Sequence, residues 1–336
     1  MWQVIGHDWI VTLLRNSIAD ERISHAYLFT GPPHVGKRTL ALSLAQALNC
    51  EDQEKPCGQC VSCRKINEGV HPDVRIIDRQ YQARLLQESL AQQKALRIDA
   101  IRTMQEEVSL KPFEGQRKVF VIREAETMTN EAANCLLKTL EEPPPHTVLL
   151  LTASDARLLL PTIVSRCQVF GLRPVPMSII ERELQRRYEI DEERTRFLAR
   201  LSEGRIGWAI TAAQDGTVLE KREKRLKQLL MLLKMGRIDR LDYIEQLSRQ
   251  PGLIGGVLEL WLGWWRDLLL VKGGCARMIN NVDMRVSLEE EARDCDLQEV
   301  FEFIKAIRET ARQLEDNVNP RLALEVLVLD LPSSND

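Results

Sequence analysis

The sequence predicts an α/β domain with a parallel sheet around a phosphate-binding loop, then a small helical domain and an all-α C-terminal domain. Three observations carry this. Short apolar runs alternate with helical periodicity in the first half, Gly31 to Lys37 has the spacing of a phosphate loop, and no strand pattern follows Pro174. Strands separated by helices imply a parallel sheet covered on both faces.

The elements follow in order. Ala26 to Thr30 is an apolar run ending at Gly31, as a buried strand would. From Lys37 to Leu48, Leu40, Ala41, Leu44, Ala45 and Leu48 recur at helical spacing. Val74 to Ile77 is a second strand. Asp99 is expected to cap a helix through Arg102 and Met104, ended by Pro112 and Gly115. Lys118 to Ile122 is a third strand, and Thr129 to Leu140 a helix stopped by Pro143, Pro144 and Pro145. Thr147 to Thr152 and Gln168 to Phe170 complete the strands. Helical patterns then cover Ile179–Tyr188, Glu192–Leu201 and Ile206–Ala213, and after the charged stretch 220–225 they run on to about Leu331. The expected domains are 1–172, with a cysteine module at 50–63, then 173–215 and 216–336. The polar stretch Gln80 to Lys94 is expected to be a mobile insertion.

A chain of 336 residues favours two or three domains. With 44% hydrophobic and 28% charged residues, it has an ordinary globular composition. The net charge of −3 argues against a protein that grips DNA unaided through a basic coat. No basic n-region with an apolar core opens the chain. The most apolar stretch, Gly252 to Leu270, contains Glu259, Arg266 and Asp267 and is expected to be a buried helix, not a membrane span. The expected location is the cytoplasm, with no membrane partner.

Gly31-Pro32-Pro33-His34-Val35-Gly36-Lys37 matches the first seven positions of a P-loop, whose backbone amides cradle phosphates while the lysine reaches the terminal ones. The next position needs a Ser or Thr hydroxyl for magnesium, but holds Arg38. Thr39 is displaced by one residue, about 100° around a helix. A strand ending in Asp-Glu normally offers its Asp to the same metal. Here Arg123 stands in that place, before Glu124. Two cations near a metal position repel magnesium and still attract phosphate. The site is therefore expected not to hydrolyse ATP. Binding of ATP or ADP through Gly31, Gly36, Lys37 and the loop amides stays open.

Eight cysteines in a cytosolic chain point to metal or free thiols before disulfides. Cys57, Cys60 and Cys63 follow at steps of three, with Cys50 seven residues upstream, a set suited to tetrahedral, structural Zn²⁺. A bacterial-type iron–sulfur run would need a further cysteine at Asn67, followed by proline. Covalent haem would need a histidine directly after the second cysteine of a pair, where Val61 or Arg64 stands. Cys135, Cys167, Cys275 and Cys295 are expected to be packing residues.

Together these features resemble the bacterial clamp-loader ATPase family of the AAA+ superfamily. The resemblance rests on His25 to Phe29 before the P-loop, the module Cys50 to Cys63, and His71-Pro72-Asp73. It also rests on Asn134-Cys135-Leu136-Leu137-Lys138-Thr139-Leu140-Glu141-Glu142-Pro143-Pro144, Leu160 to Cys167, and Asn317 to Glu325. It is weak between residues 215 and 310. It implies three domains, the third joining a pentameric collar, with gamma/tau and delta subunits as partners. Through that assembly it implies a sliding clamp and primer-template DNA. It also implies that Arg166, within Ser165-Arg166-Cys167, is an arginine finger that reaches the γ-phosphate of ATP on a neighbouring subunit. The family's second-domain sensor, Gly-x-x-Arg, corresponds to Gly204-Arg205-Ile206-Gly207, so Gly207 stands in the arginine's place and Arg205 is left as its alternative. A non-hydrolysing subunit is the favoured reading. The alternative is the ATP-hydrolysing gamma/tau-like motor, which should have Ser or Thr after Lys37 and Asp before Glu124. A zinc-dependent DNA-binding protein lacks a basic helix beside the cysteines, and nothing resembles a polymerase active site.

Overall fold

The computed structural model describes residues 2–315 and 318–332, so Asn317 of the C-terminal motif lies outside the described residues. The chain divides into two compact units: Met1–Glu183 with Gly204–Trp208, and Leu184–Glu203 with Ala209–Asp336.

The first unit holds strands β1 (Ala26–Thr30), β2 (Val74–Ile77), β3 (Lys118–Ile122), β4 (Thr147–Ala153) and β5 (Gln168–Gly171). They form one parallel sheet in the order β2-β3-β4-β1-β5. Its helices are α1 (Asp8–Ala19), α2 (Lys37–Asn49), α3 (Val61–Glu68), α4 (Arg79–Leu86), α5 (Ile98–Val108), α6 (Asn130–Glu141) and α7 (Pro161–Val164), with most of α8 (Met177–Arg187). Strand periodicity explains how the sheet is covered. Tyr27, Phe29, Val119, Val121, Val148 and Leu150 join the core that contains α1 and α2. Their neighbours Leu28, Phe120, Ile122, Leu149 and Leu151 join the opposite core, with α5 and α6. Alternating side chains of a strand point to opposite faces, so a sheet covered on both sides needs apolar residues at every position.

The second unit contains α9 (Glu192–Leu201), most of α10 (Ile206–Gln214), α11 (Thr217–Lys234), α12 (Arg237–Ser248), α13 (Pro251–Lys272), α14 (Arg285–Asp294), α15 (Leu297–Glu315) and α16 (Pro320–Leu329). Helix α13 is the apolar stretch noted in the sequence. Its Trp261, Trp264, Trp265 and Leu268 are buried in a core shared with Phe303 of α15 and Leu324 of α16. Asp267 on the same helix is buried, accepting hydrogen bonds from the backbone N–H groups of Asn280 (2.8 Å) and Asn281 (2.7 Å). Among the described residues, no helix is long and apolar enough to cross a membrane.

The structure corrects three expectations. Asp99 does not cap α5: the N-cap is Arg97, without a side-chain cap, and Asp99 lies inside the first turn. The stretch 80–94 is not a loose insertion, because it forms most of α4 and two of its polar residues, Gln82 and Gln93, are buried and paired. Gln82 Nε2 donates to the Ala95 carbonyl at 2.9 Å, and Gln82 also bonds to Gln93 and to the Arg97 amide. Cys275 is exposed, not packed, whereas Cys295 is buried.

Candidate functional site

The phosphate loop connects β1 to α2, where the fold of an α/β sheet places ligand sites. Gly31 has φ 139°, and a Cβ there would lie 2.2 Å from the Leu172 carbonyl oxygen. Gly36, with φ 109°, is the left-handed N-cap of α2. The loop amides thus open the helix at its positive end. Lys37 folds back onto its own loop: Nζ donates to the carbonyls of Gly31 and Pro32, the latter at 2.9 Å. Burial pulls the Lys37 pKa below its usual value, opposed by the carboxylates of Glu126 and Glu124.

A segment remote in sequence closes over the loop. The Gly207 N–H donates to the His34 carbonyl at 2.8 Å. A Cβ at Gly207 would lie 2.9 Å from that oxygen, so the position that should carry the sensor arginine has no room for a side chain.

At the acidic end of the site Asp78 and Glu124 have cationic partners, whereas Glu126 Oε2 is buried without a hydrogen-bond partner among the described residues. Arg123 Nη1 pairs with Asp78 Oδ2 at 3.0 Å, and Asp78 Oδ1 also caps α4 by accepting from the Tyr81 N–H. Glu124, at φ 51°, pairs with Arg79 Nη2 at 2.6 Å, while its own N–H donates to Thr152 Oγ1 at 3.2 Å. Arg38 is exposed. Sequence reasoning found Arg123 but missed Arg79 and Asp78. The two arginines, each just past the C-terminal end of a neighbouring strand, were the available signal.

The four cysteines predicted to hold metal do converge. The Sγ atoms of Cys50, Cys57, Cys60 and Cys63 all lie within 4.8 Å of one another, with Cys50 and Cys60 at 4.0 Å. A tetrahedral zinc with Zn–S near 2.3 Å separates its sulfurs by about 3.8 Å, so the set fits with little closure. Backbone N–H groups point at the sulfurs: Cys57 N at Cys50 Sγ (3.3 Å), Cys60 N at Cys57 Sγ (3.3 Å) and Cys63 N at Cys60 Sγ (3.4 Å). Donors of this kind stabilise thiolates. The Cys57 pKa is lowered to about 6, chiefly by the Cys60 and Gln59 amides, whereas burial pushes Cys50 and Cys63 up. A bound cation would offset the cost of ionising those two.

Arg166 follows α7, with 35% of its side chain exposed. Its Nη2 pairs with Glu141 Oε1 at 2.9 Å, and Nη1 donates to the Thr162 carbonyl at 3.0 Å. These partners come from α6 and α7, and Glu141 is itself 51% exposed.

A parallel sheet with a phosphate loop after its first strand, followed by an all-helical C-terminal part, defines a P-loop α/β protein with helical C-terminal domains. The family described as DNA polymerase III, delta subunit, matches residues 6–176, and its C-terminal counterpart matches residues 217–332. The chain is 31% identical over 330 residues to the DNA polymerase III subunit delta' of Bacillus subtilis (strain 168), spanning 96% of this chain and 95% of that one. It is 26% identical to the subunit tau of the same organism, over 98% of this chain and 60% of the relative. To the subunit delta' of Haemophilus influenzae it is 33% identical, over 59% of this chain and 58% of the relative. The chain belongs to the DNA polymerase III delta-prime family of clamp-loader subunits.

Proposed function

We propose that the chain is a non-hydrolysing subunit of a bacterial clamp loader, acting in the cytoplasm and supplying Arg166 in trans to ATP held by a neighbouring subunit. Its partners on this reading are gamma/tau and delta subunits, which it helps to load a sliding clamp onto primer-template DNA. Residues 216–336 serve as its collar domain, 173–215 as a helical lid, and the four cysteines hold structural zinc.

The observation that carries the non-hydrolysing part is the acidic end of the phosphate site. Magnesium needs free oxygen ligands there. The arginine in the metal-ligating place, Arg123, is paired with Asp78, and Glu124 is neutralised by Arg79. Lys37 spends its hydrogen bonds on loop carbonyls. The motor reading would require magnesium to find another ligand although Arg123 stands at the ligating place and holds the largely buried Asp78.

The trans role of Arg166 is supported by its exposure. Its one carboxylate partner is more exposed still. An exposed pair of this kind is worth about 0–1 kcal/mol, so the guanidinium can be released to a phosphate at small cost. The test is ATP turnover in two settings: the isolated chain, and the complex reconstituted with its partners, each with and without Arg166→Ala. The reading requires no turnover by the isolated chain and slowed turnover in the mutant complex.

A further inference from the structure

The loop at residues 109–117, between α5 and β3, is ordered although its apolar residues face outward. Phe113 is 85% exposed and Leu110 is 63% exposed. The loop is held by a buried carboxylate. Asp73 Oδ1 accepts from the Phe113 N–H at 2.7 Å, and Oδ2 accepts from Glu114 and Gly115 at 2.8 Å each. A fourth loop amide, Arg117, donates to Asn49 Oδ1 at 2.9 Å.

Each of these anchors touches the cysteine module. Asn49 is the last residue of α2 and directly precedes Cys50. At the other end, Ser62, between Cys60 and Cys63, bonds through Oγ to His71 Nε2 at 3.0 Å. His71 Nδ1 accepts the Asp73 N–H at 3.1 Å. Lys65 on the same helix pairs with Glu114 of the loop at 2.8 Å. Gly115 packs so closely on Asn49 that a Cβ would lie 2.5 Å from Asn49 Oδ1. The loop is therefore tied to the module at both ends, once beside Cys50 and twice through the helix that contains Cys63.

We infer that the cysteine module is the scaffold of the 109–117 loop, so that metal loading decides whether Phe113 is held in its outward position. A bound metal fixes Cys50 relative to Cys60 and Cys63, which fixes Asn49 relative to Ser62 and Lys65. These residues in turn set the positions of the amides at 113–117. Without the metal, the two anchor points move independently. The inference rests on the cysteines taking a metal, and metal content is therefore measured first. A chain purified without metal overturns the metal reading itself, whereas a zinc-loaded chain whose loop ignores the metal overturns the coupling alone.

The experiment is hydrogen exchange on the full chain, zinc-loaded and then stripped by a chelator under reducing conditions. Amides 113–115 and 117 should exchange roughly tenfold faster or more in the stripped chain, while those of β1 and β4 stay protected. Loop amides that remain protected without metal would overturn the inference. Because stripping could loosen the whole unit, the converse is measured on loaded, folded protein. Coupling is reciprocal, so loosening the loop must loosen the metal. Asp73→Asn turns one acceptor oxygen into an NH₂ facing amide hydrogens, and Asn49→Ala removes the other anchor. Each should speed zinc release to a chromophoric chelator severalfold, and wild-type release rates in both variants would refute the coupling.

Discussion

Arg166→Ala separates a residue that acts on a neighbour from one that holds its own chain together. Within the chain, the substitution removes an ion pair to Glu141 and a hydrogen bond to the Thr162 carbonyl. Thr162 and Glu141 are both exposed, so water replaces the lost partner at each of them. The pair is worth about 0–1 kcal/mol. For a unit of this size such a loss lowers Tm by no more than about 4 °C. Against this, an arginine finger acting in trans is worth ~10³–10⁵ in rate at the site it serves. The two roles therefore differ by orders of magnitude in what they predict. Steady-state and single-turnover ATP hydrolysis, measured on the reconstituted complex with clamp and primed DNA, should show a large loss at the adjacent site. The fall for the whole complex is smaller where other sites keep their own fingers. Arg166→Lys should not restore the rate fully, because an ammonium lacks the planar fork that engages two phosphate oxygens. A drop in Tm well beyond 4 °C, with normal turnover in the complex, would refute the reasoning and make the residue structural.

Purified chain should contain close to one zinc and no iron by elemental analysis, and replacing Cys57 and Cys60 by serine should abolish the zinc. Isolated chain should show no steady-state ATP turnover, and turnover that Lys37→Ala abolished would expose a working motor. Burial alone would raise the Asp73 pKa, but the N–H groups of Phe113, Glu114 and Gly115, with His71, bring it below its usual 3.8. A lowered folded pKa means that this stabilisation is present above about pH 3.8 and is lost as pH falls through the folded value. Asp73→Asn should therefore be less stable than wild type near neutral pH, with the gap closing in acid, as chemical denaturation at a series of pH values will show. Gly207→Arg should fail to create an ATP sensor and should destabilise the first unit, since its Cβ meets the His34 carbonyl; tighter nucleotide binding by that variant would contradict the close packing.

Local pattern determined much of this protein. The apolar strand runs, the glycine-flanked loop and the cysteine spacing each express a rule that acts over a few residues, and each appears in the fold where that rule placed it. The helix at Glu192–Leu201 has the expected bounds for the same reason, since Asp191 caps it and its periodicity is unbroken. Tertiary structure decided what depends on partners distant in sequence. The stretch 80–94 looked loose because it is polar, and it is ordered because Gln82 meets Ala95 and Arg97. Arg123 was visible as a misplaced cation, but its pairing with Asp78, and that of Glu124 with Arg79, needed β2 and β3 side by side. Likewise Gly207 could be noted as a missing arginine, whereas its backbone bond to His34 spans a separation that no local pattern encodes. The cysteine spacing marked a candidate metal centre; only the packing of α2, α3 and the 109–117 loop around Asp73 tied that candidate to an exposed phenylalanine.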